Sequence, residues 1–310
     1  MRAYIATRLA TAVLVILGVS LVSFLLTFLT GDPAEIMLPP GATAEQITKF
    51  RAAWGFDDPL PVQYWRFLSR AVQGDFGVSL RHGQSSLPLI AARLPATLQL
   101  TVTAMLLAIV LAVPLGVLAA ANRGSKIDLL AMGVALLGQS VPNFWLAIMM
   151  ILLFAVSWGV LPTSGRGGLA HVVMPAAAIA INLMALLTRL VRTTMIEVLT
   201  EDYVRTGRGK GLRELAVVTR HALPNALIPL VTVVGLQFGY ILGGAVVIET
   251  VFTWPGVGLF TMQAILNRDY PVVQASVFIL ATGVVLINLT VDLLYLWLDP
   301  RILLRATRGT

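Results

Sequence analysis

The chain has 310 residues, 57% of them hydrophobic and only 12% charged, with a mean hydropathy of +0.86 and a net charge of +7. An ordinary soluble domain carries roughly a quarter charged residues, so a water-soluble globule of this composition would leave far too much apolar surface in water. Cysteine is absent, which excludes disulfide scaffolds, thiol nucleophiles and Cys-ligated clusters, and His82, His171 and His221 lie in separate segments without metal-ligand spacing.

Charge-free apolar runs recur at Leu9 to Gly31, Leu94 to Asn122, Leu129 to Gly165, Gly167 to Thr188, Ala222 to Ile248 and Tyr270 to Val291. Each can cross about 30 Å of hydrocarbon at about 1.5 Å per residue. The predicted fold class is an all-α integral membrane protein with six transmembrane helices, near residues 9–29, 97–121, 129–157, 172–190, 226–248 and 272–298. The first run follows Arg2 and Arg8 as a signal peptide would, but it is long and meets Thr30-Gly31-Asp32-Pro33 rather than a cleavage site, so an uncleaved helix is expected.

Residues 31–96 carry their own signals. Thr43-Ala44-Glu45-Gln46 predicts a capping box opening a helix toward Trp54, Asp57-Asp58-Pro59 a turn, and Val62 to Val72 an amphipathic helix broken at Gly74-Asp75-Phe76-Gly77. This segment reads either as a small extracytoplasmic cap between helices 1 and 2 or as a substrate-docking face.

Lys and Arg between the spans set the orientation. Fourteen of the 22 fall on the side shared by the two termini, which is left at +8, while the opposite side is neutral. Both termini are therefore expected in the cytoplasm of a bacterial or archaeal inner membrane. The basic excess reflects topology rather than a nucleic-acid partner.

Chemistry of the chain's own is missing. The Gly209-Lys210 pair is followed by Gly211 rather than a hydroxyl residue, so there is no P-loop, and neither H-E-x-x-H nor G-x-S-x-G occurs. Asp292 alone sits inside a span, whereas an ion-coupled transporter usually buries several ionisable groups. The expected protein is no enzyme, holds no cofactor, and moves solute with energy supplied by a partner.

Between the fourth and fifth spans, about 192–225, lies a basic loop. A short helix from about Asp202, through Tyr203, Arg205, Thr206, Gly207, Arg208, Gly209 and Lys210, a left-handed break at Gly211, and a second helix ending before Pro224 predict a rigid knuckle. By charge alone it could contact anionic lipid.

The spacing from Arg205-Thr206-Gly207 through Gly211 to Leu223-Pro224 resembles the signature loop of ABC importer permeases, in the branch serving dipeptides, oligopeptides and nickel. Gly207 and Gly209 depart from that branch, which more often has Ala. Thr30-Gly-Asp-Pro-Ala34, Gly74-Asp-Phe-Gly77, Arg93-Leu-Pro-Ala-Thr97, Pro142-Asn-Phe-Trp145, Leu161-Pro-Thr-Ser-Gly165, Trp254-Pro-Gly-Val-Gly258, Arg268-Asp-Tyr-Pro271 and Asp299-Pro-Arg301 extend the likeness over nearly the whole chain. The resemblance implies a type I importer permease fold, a second homologous permease, two cytoplasmic ATPases that bind ATP and Mg, and an extracytoplasmic solute-binding protein. It implies that the loop around Gly211 docks on an ATPase subunit. The implied cargo is short peptides, with nickel or another small solute such as glutathione as the alternative; a self-contained channel or secondary transporter is the competing class. The expected organisation is a first helix plus outer segment at 1–96, a five-helix core at 97–298 and a cytoplasmic tail at 299–310.

Within the spans, Gly235, Gly239 and Gly243 share a face, for static packing or for sliding beside the pathway. Pro142 should kink the third helix, and Gln139, Ser140 and Asn143 either line a wet cavity or satisfy that kink. Asp292 is expected near the inner interface in a structural role.

Overall fold

The computed structural model describes residues 2–29, 34, 38 and 41–298. Thr30 to Pro33 and the tail from Asp299, with Arg301, lie outside them. In chain order the helices are α1 (Arg2–Leu29), α2 (Ala44–Trp54), α3 (Leu60–Val72), α4 (Ser86–Ala91), α5 (Leu94–Ala121), α6 (Lys126–Ser140), α7 (Asn143–Met150), α8 (Leu169–Leu199), α9 (Asp202–Gly209), α10 (Glu214–Ala216), α11 (Leu223–Ala226), α12 (Ile228–Gly244), α13 (Val246–Val251), α14 (Val257–Leu266) and α15 (Tyr270–Leu298). π-helical turns at Ile151–Ser157 and Val217–Ala222 extend α7 and join α10 to α11. Among the described residues, extended pairing is limited to one bridge between Val78 and Ser85.

Among the described residues, four helical stretches are long and apolar enough to cross a membrane: α1, α4 with α5, α8 and α15. Two further pairs reach that length only if each is taken as one broken span, giving up to six. One is α6 with α7, bent by 98°, and the other is the Glu214–Ala226 stretch with α12, bent by 50°. The continuous third helix expected over 129–157 is thus replaced by two helices nearly at right angles. Pro142 supplies no N–H, and the residue before a proline is driven out of the helical region; Val141 accordingly sits at φ −91°, ψ 125°.

Two other boundaries differ from expectation. Helix α8, predicted to stop near 190, runs to Leu199. The second knuckle helix does not end before Pro224 but passes through it, because Pro224 falls in the first turn of α11, directly after a widened π turn, where a missing donor costs least.

The chain divides into two compact units. In Met1–Thr97 with Pro255–Leu289, a capping box opens α2, Gln46 N donating to the Thr43 hydroxyl and Thr43 N to the Gln46 side-chain carbonyl, and Gly55 closes it at φ +69°. Phe76, Ile90, Val257, Phe260 and Val272 form the apolar core of this unit. The paired motifs around 74–77 and 268–271 meet there. Asp269, 2% exposed, accepts hydrogen bonds from the Ser79 hydroxyl and from Leu80 N. Thr97 accepts one from Val257 N at 2.8 Å.

In Leu98–Trp254 with Thr290–Thr310, α8 is the central post. Buried Ala176, Ala178, Ala180 and Ala185 let neighbours come close. A Cβ at Gly116 of α5 would lie 2.7 Å from the Val191 Cβ and 2.9 Å from the Thr188 carbonyl, and one at Gly138 of α6 would lie 3.2 Å from Ile181.

Candidate functional site

Helix α8 ends at Leu199, Glu201 takes extended backbone, and α9 opens at Asp202. Val204 is wholly buried and anchors α9, while Tyr203, Arg205, Thr206, Arg208 and Lys210 stay at the surface. Thr206 returns its hydroxyl to the Asp202 carbonyl at 2.9 Å. At the other end Gly211 N donates to the Arg208 carbonyl and Leu212 N to the Gly207 carbonyl, with Gly211 at φ +77°. That pair of bonds is a Schellman closure, and it needs a left-handed residue where Gly211 stands. A side chain there would meet no neighbour within 4 Å, so the demand for glycine is one of backbone alone.

Three side-chain links lock the knuckle. Arg208 forks onto Glu214 at 3.0 and 2.6 Å across the Gly211 turn. These hydrogen bonds hold the Glu214 carboxyl below the usual carboxylate range and push the Arg208 guanidinium up. Asn225 donates to the Tyr203 hydroxyl at 3.0 Å, tying α9 to the turn beside Leu223 and Pro224. Thr194 of α8 donates to the Ala226 carbonyl at 3.1 Å. Buried Val217, Ala222 and Ala226 complete the apolar seat under Val204. The outcome is a rigid projection whose outer surface mixes Arg205, Lys210 and Arg213 with Leu212 and Leu215, the last 75% exposed. Such a mixture of basic and apolar groups suits a protein partner.

The other singled-out residues are not gathered at the knuckle. Gln139 and Ser140 are exposed at the α6–α7 break, Ser140 bonding back to the Leu136 carbonyl at 2.9 Å. Pro142 caps α7, and the Asn143 side-chain carbonyl is buried without a partner. A Cβ at Gly235 would collide with Val291 of α15, Gly239 is buried, and Gly243 faces open space. Asp292 is half-buried on α15.

Sequence reading missed three groups. Asp128 and Arg192 form a bidentate ion pair between α6 and α8; 64 positions apart, they carried no joint signal. Glu249, read as lying just beyond a span, is wholly buried in α13. Leu212 and Leu215, given no role by the sequence, stand exposed beside the Gly211 turn because α10 is too short to bury them.

Broken apolar helices around a central post, with a basic knuckle between two of them, define the class: an all-α, multi-pass membrane protein. The backbone agrees. Its fold matches the inward-facing MetNI methionine ABC transporter with a TM-score of 0.59 at 20% identity, over 68% of this chain and 96% of that one. An amino acid ABC transporter with histidines matches at 0.51 and 17%, over 69% and 94%. Residues 112–304 match the binding-protein-dependent transport system inner membrane component family, and residues 1–101 match its N-terminal counterpart. The chain belongs to that family of ABC importer permeases, whose membrane subunits are not themselves catalytic. Among its relatives, the glutathione transport system permease protein GsiC of Escherichia coli (strain K12) is 41% identical over 300 residues, 96% of this chain and 98% of that one. The protein of the same name from Salmonella paratyphi A is 41% identical over 298 residues, 96% and 95% of the two chains.

Proposed function

We propose that this chain forms half of the membrane pathway of an ABC importer for glutathione, a short peptide, and that the knuckle around Gly211 is where a cytoplasmic ATPase subunit moves it. The observation that carries the substrate is the 41% identity to glutathione permeases over 96% of the chain. In this reading α6 with α7 counts as one crossing and α12 with α13 as another, the Glu214–Ala226 stretch staying at the cytoplasmic face, giving six spans. The side holding fourteen of the 22 basic residues is cytoplasmic, with both termini. The 97–298 core carries the pathway, and the knuckle lies within its 192–225 loop.

The proposed roles follow from the geometry. Tyr203, Arg205, Lys210, Leu212 and Leu215 face the ATPase; Gly207, Arg208, Gly209 and Gly211 shape the presenting turn; Leu223 and Pro224 carry movement into α12. The α6–α7 break, with Gln139 and Asn143, offers polar groups to the pathway, and Gly235 and Gly239 let α12 run close to its neighbours. A second permease, two ATPases binding ATP and Mg, and a solute-binding protein complete the machine.

The test is uptake into proteoliposomes holding the full complex, with labelled glutathione, a dipeptide panel and Ni²⁺ in parallel. ATP-dependent glutathione uptake at the highest rate is expected. Transport of dipeptides or Ni²⁺ with no glutathione uptake would sink the substrate assignment, and uptake without ATPase subunits would sink the machine.

A further inference from the structure

Helix α3 has three distinct sides. At 100° per residue, Gln63, Tyr64, Phe67 and Ala71 share one, and these turn inward: Gln63 and Ala71 are buried, and Tyr64 and Phe67 stand 5.6 and 5.9 Å from the Phe24 ring of α1. Arg66, Ser69, Arg70 and Gln73 form a second, polar side, where Arg66 pairs with Asp58 at 2.7 Å. About 120° round from both runs an apolar stripe of Pro61, Trp65, Leu68 and Val72. Trp65 is 70% and Val72 79% exposed. A helix beside a core needs only two faces, one wet and one dry. The third apolar side, left open by the described residues, is what an interfacial membrane helix shows.

The depth at which α3 is held decides what covers that stripe. The Tyr64 hydroxyl shares a hydrogen bond of 2.7 Å with the Ser20 hydroxyl and reaches the Leu17 carbonyl at 3.3 Å. The apolar run of α1 continues to Gly31 in the sequence, and the helix to Leu29. Ser20 is nine residues before Leu29, so the contact lies about 14 Å inside that end at about 1.5 Å per residue. Helix α3, tied to it by one tyrosine, therefore runs alongside the C-terminal part of the apolar span rather than beyond it, the level at which interfacial helices rest. Leu14, Leu17 and Leu21, on the membrane-length helix α1 that holds α3, are also exposed and apolar, as lipid-facing residues are.

We infer that α3 lies in the bilayer interface at the C-terminal end of α1, with Trp65 and Val72 against acyl chains and Arg66 and Arg70 turned to the headgroups and water. Its occupant is lipid, neither solvent nor a protein subunit. The chain has no cysteine, so single nitroxide labels at Trp65→Cys, Val72→Cys and Arg70→Cys are unambiguous once cysteines in the partner subunits are replaced. In the assembled transporter in nanodiscs, labels at 65 and 72 should be relaxed more by oxygen than by an aqueous nickel chelate, and the label at 70 the reverse. A chelate preference at 65 and 72 would make the stripe part of a solvated cap. Inaccessibility to both relaxants would mean a protein partner covers it. Either overturns the proposal. Should the cysteine variants fail to assemble, Trp65→Phe serves instead. Quenching of tryptophan emission by lipids brominated near the headgroup should then fall relative to wild type, and unchanged quenching would refute lipid contact.

Discussion

Asp128, in the first turn of α6, and Arg192, two turns before the end of α8, hold each other through parallel hydrogen bonds of 2.6 and 2.8 Å. Asp128 also accepts from Gly124 N at 2.9 Å, so one carboxylate fastens the loop before α6, α6 itself and α8. Its side chain is only 8% exposed, whereas Arg192 reaches 26%. Water screens this pair less than a surface bridge. Removing one partner by Asp128→Asn or Arg192→Gln should cost about 1.5 to 3 kcal/mol. Unfolding midpoints in detergent, taken as a double-mutant cycle, check this; strictly additive losses would mean that the two residues act separately. Arg192→Lys should rescue little, because an ammonium cannot reproduce the fork.

Glycines within the knuckle should separate by backbone. A Cβ at Gly207 would meet Leu212 at 3.7 Å and Val217 at 3.9 Å, ordinary contacts, and one at Gly209 meets nothing. Alanine at either position should stabilise α9 by up to about 1 kcal/mol and leave uptake intact. Gly211→Val forces a β-branched residue to φ +77°, at about 1 to 3 kcal/mol. Membrane insertion should survive while uptake is lost. Pull-down of the ATPase subunits and solute-stimulated hydrolysis distinguish lost docking from lost coupling, and normal uptake would place the transmission surface elsewhere.

Glycines within the spans should separate by space. Gly116→Ala gains helix propensity of about 1 kcal/mol but sets a methyl 2.7 Å from Val191 and 2.9 Å from the Thr188 carbonyl, and backbone cannot step aside. Overpacking of about 1 to 3 kcal/mol should win. Gly243→Ala meets open space and should be neutral or stabilising. Thermal stability of the purified complexes tests the pair, and equal effects at both positions would show that α5 and α8 are not in close contact.

The Arg208–Glu214 fork carries a pH signature. Hydrogen bonding from Arg208 lowers the folded pKa of Glu214 beneath its ordinary value of 4.5. The unfolded knuckle therefore takes up the proton first, so the contribution is fully present above the ordinary value and lost as pH falls through the depressed one. A nitroxide at Lys210→Cys should become more mobile in that acid range. With Glu214→Gln the mobility should already be raised at neutral pH and stay flat; an acid transition surviving in that variant would assign it to another group.

Much of the fold could be read from the chain because apolar runs and turn residues act locally. The Thr43 capping box, the left-handed Gly211 and the disruption at Pro142 each depend on a few neighbouring residues. Pairings across the sequence were not legible. Arg192 read as a loop charge because nothing near it neutralises it; Asp128, from another helix, lets α8 carry it. Gly235 and Gly243 look alike along the chain, yet a Cβ at the first would collide with Val291 of α15 and one at the second would meet nothing within 4 Å, a difference set by a helix distant in the sequence. The amphipathic pattern of Val62 to Val72 was visible, but not the depth at which Tyr64 pins it.

The bonds that shape the knuckle, Thr194 to Ala226, Tyr203 to Asn225 and Arg208 to Glu214, all close within a stretch of 33 residues. Loops this short close fast and at little entropic cost. These bonds use no residue of α12 or of the later spans, so the knuckle can close in a growing chain as soon as Ala226 emerges. If it is the docking surface proposed above, subunit recruitment need not wait for the membrane domain to finish folding.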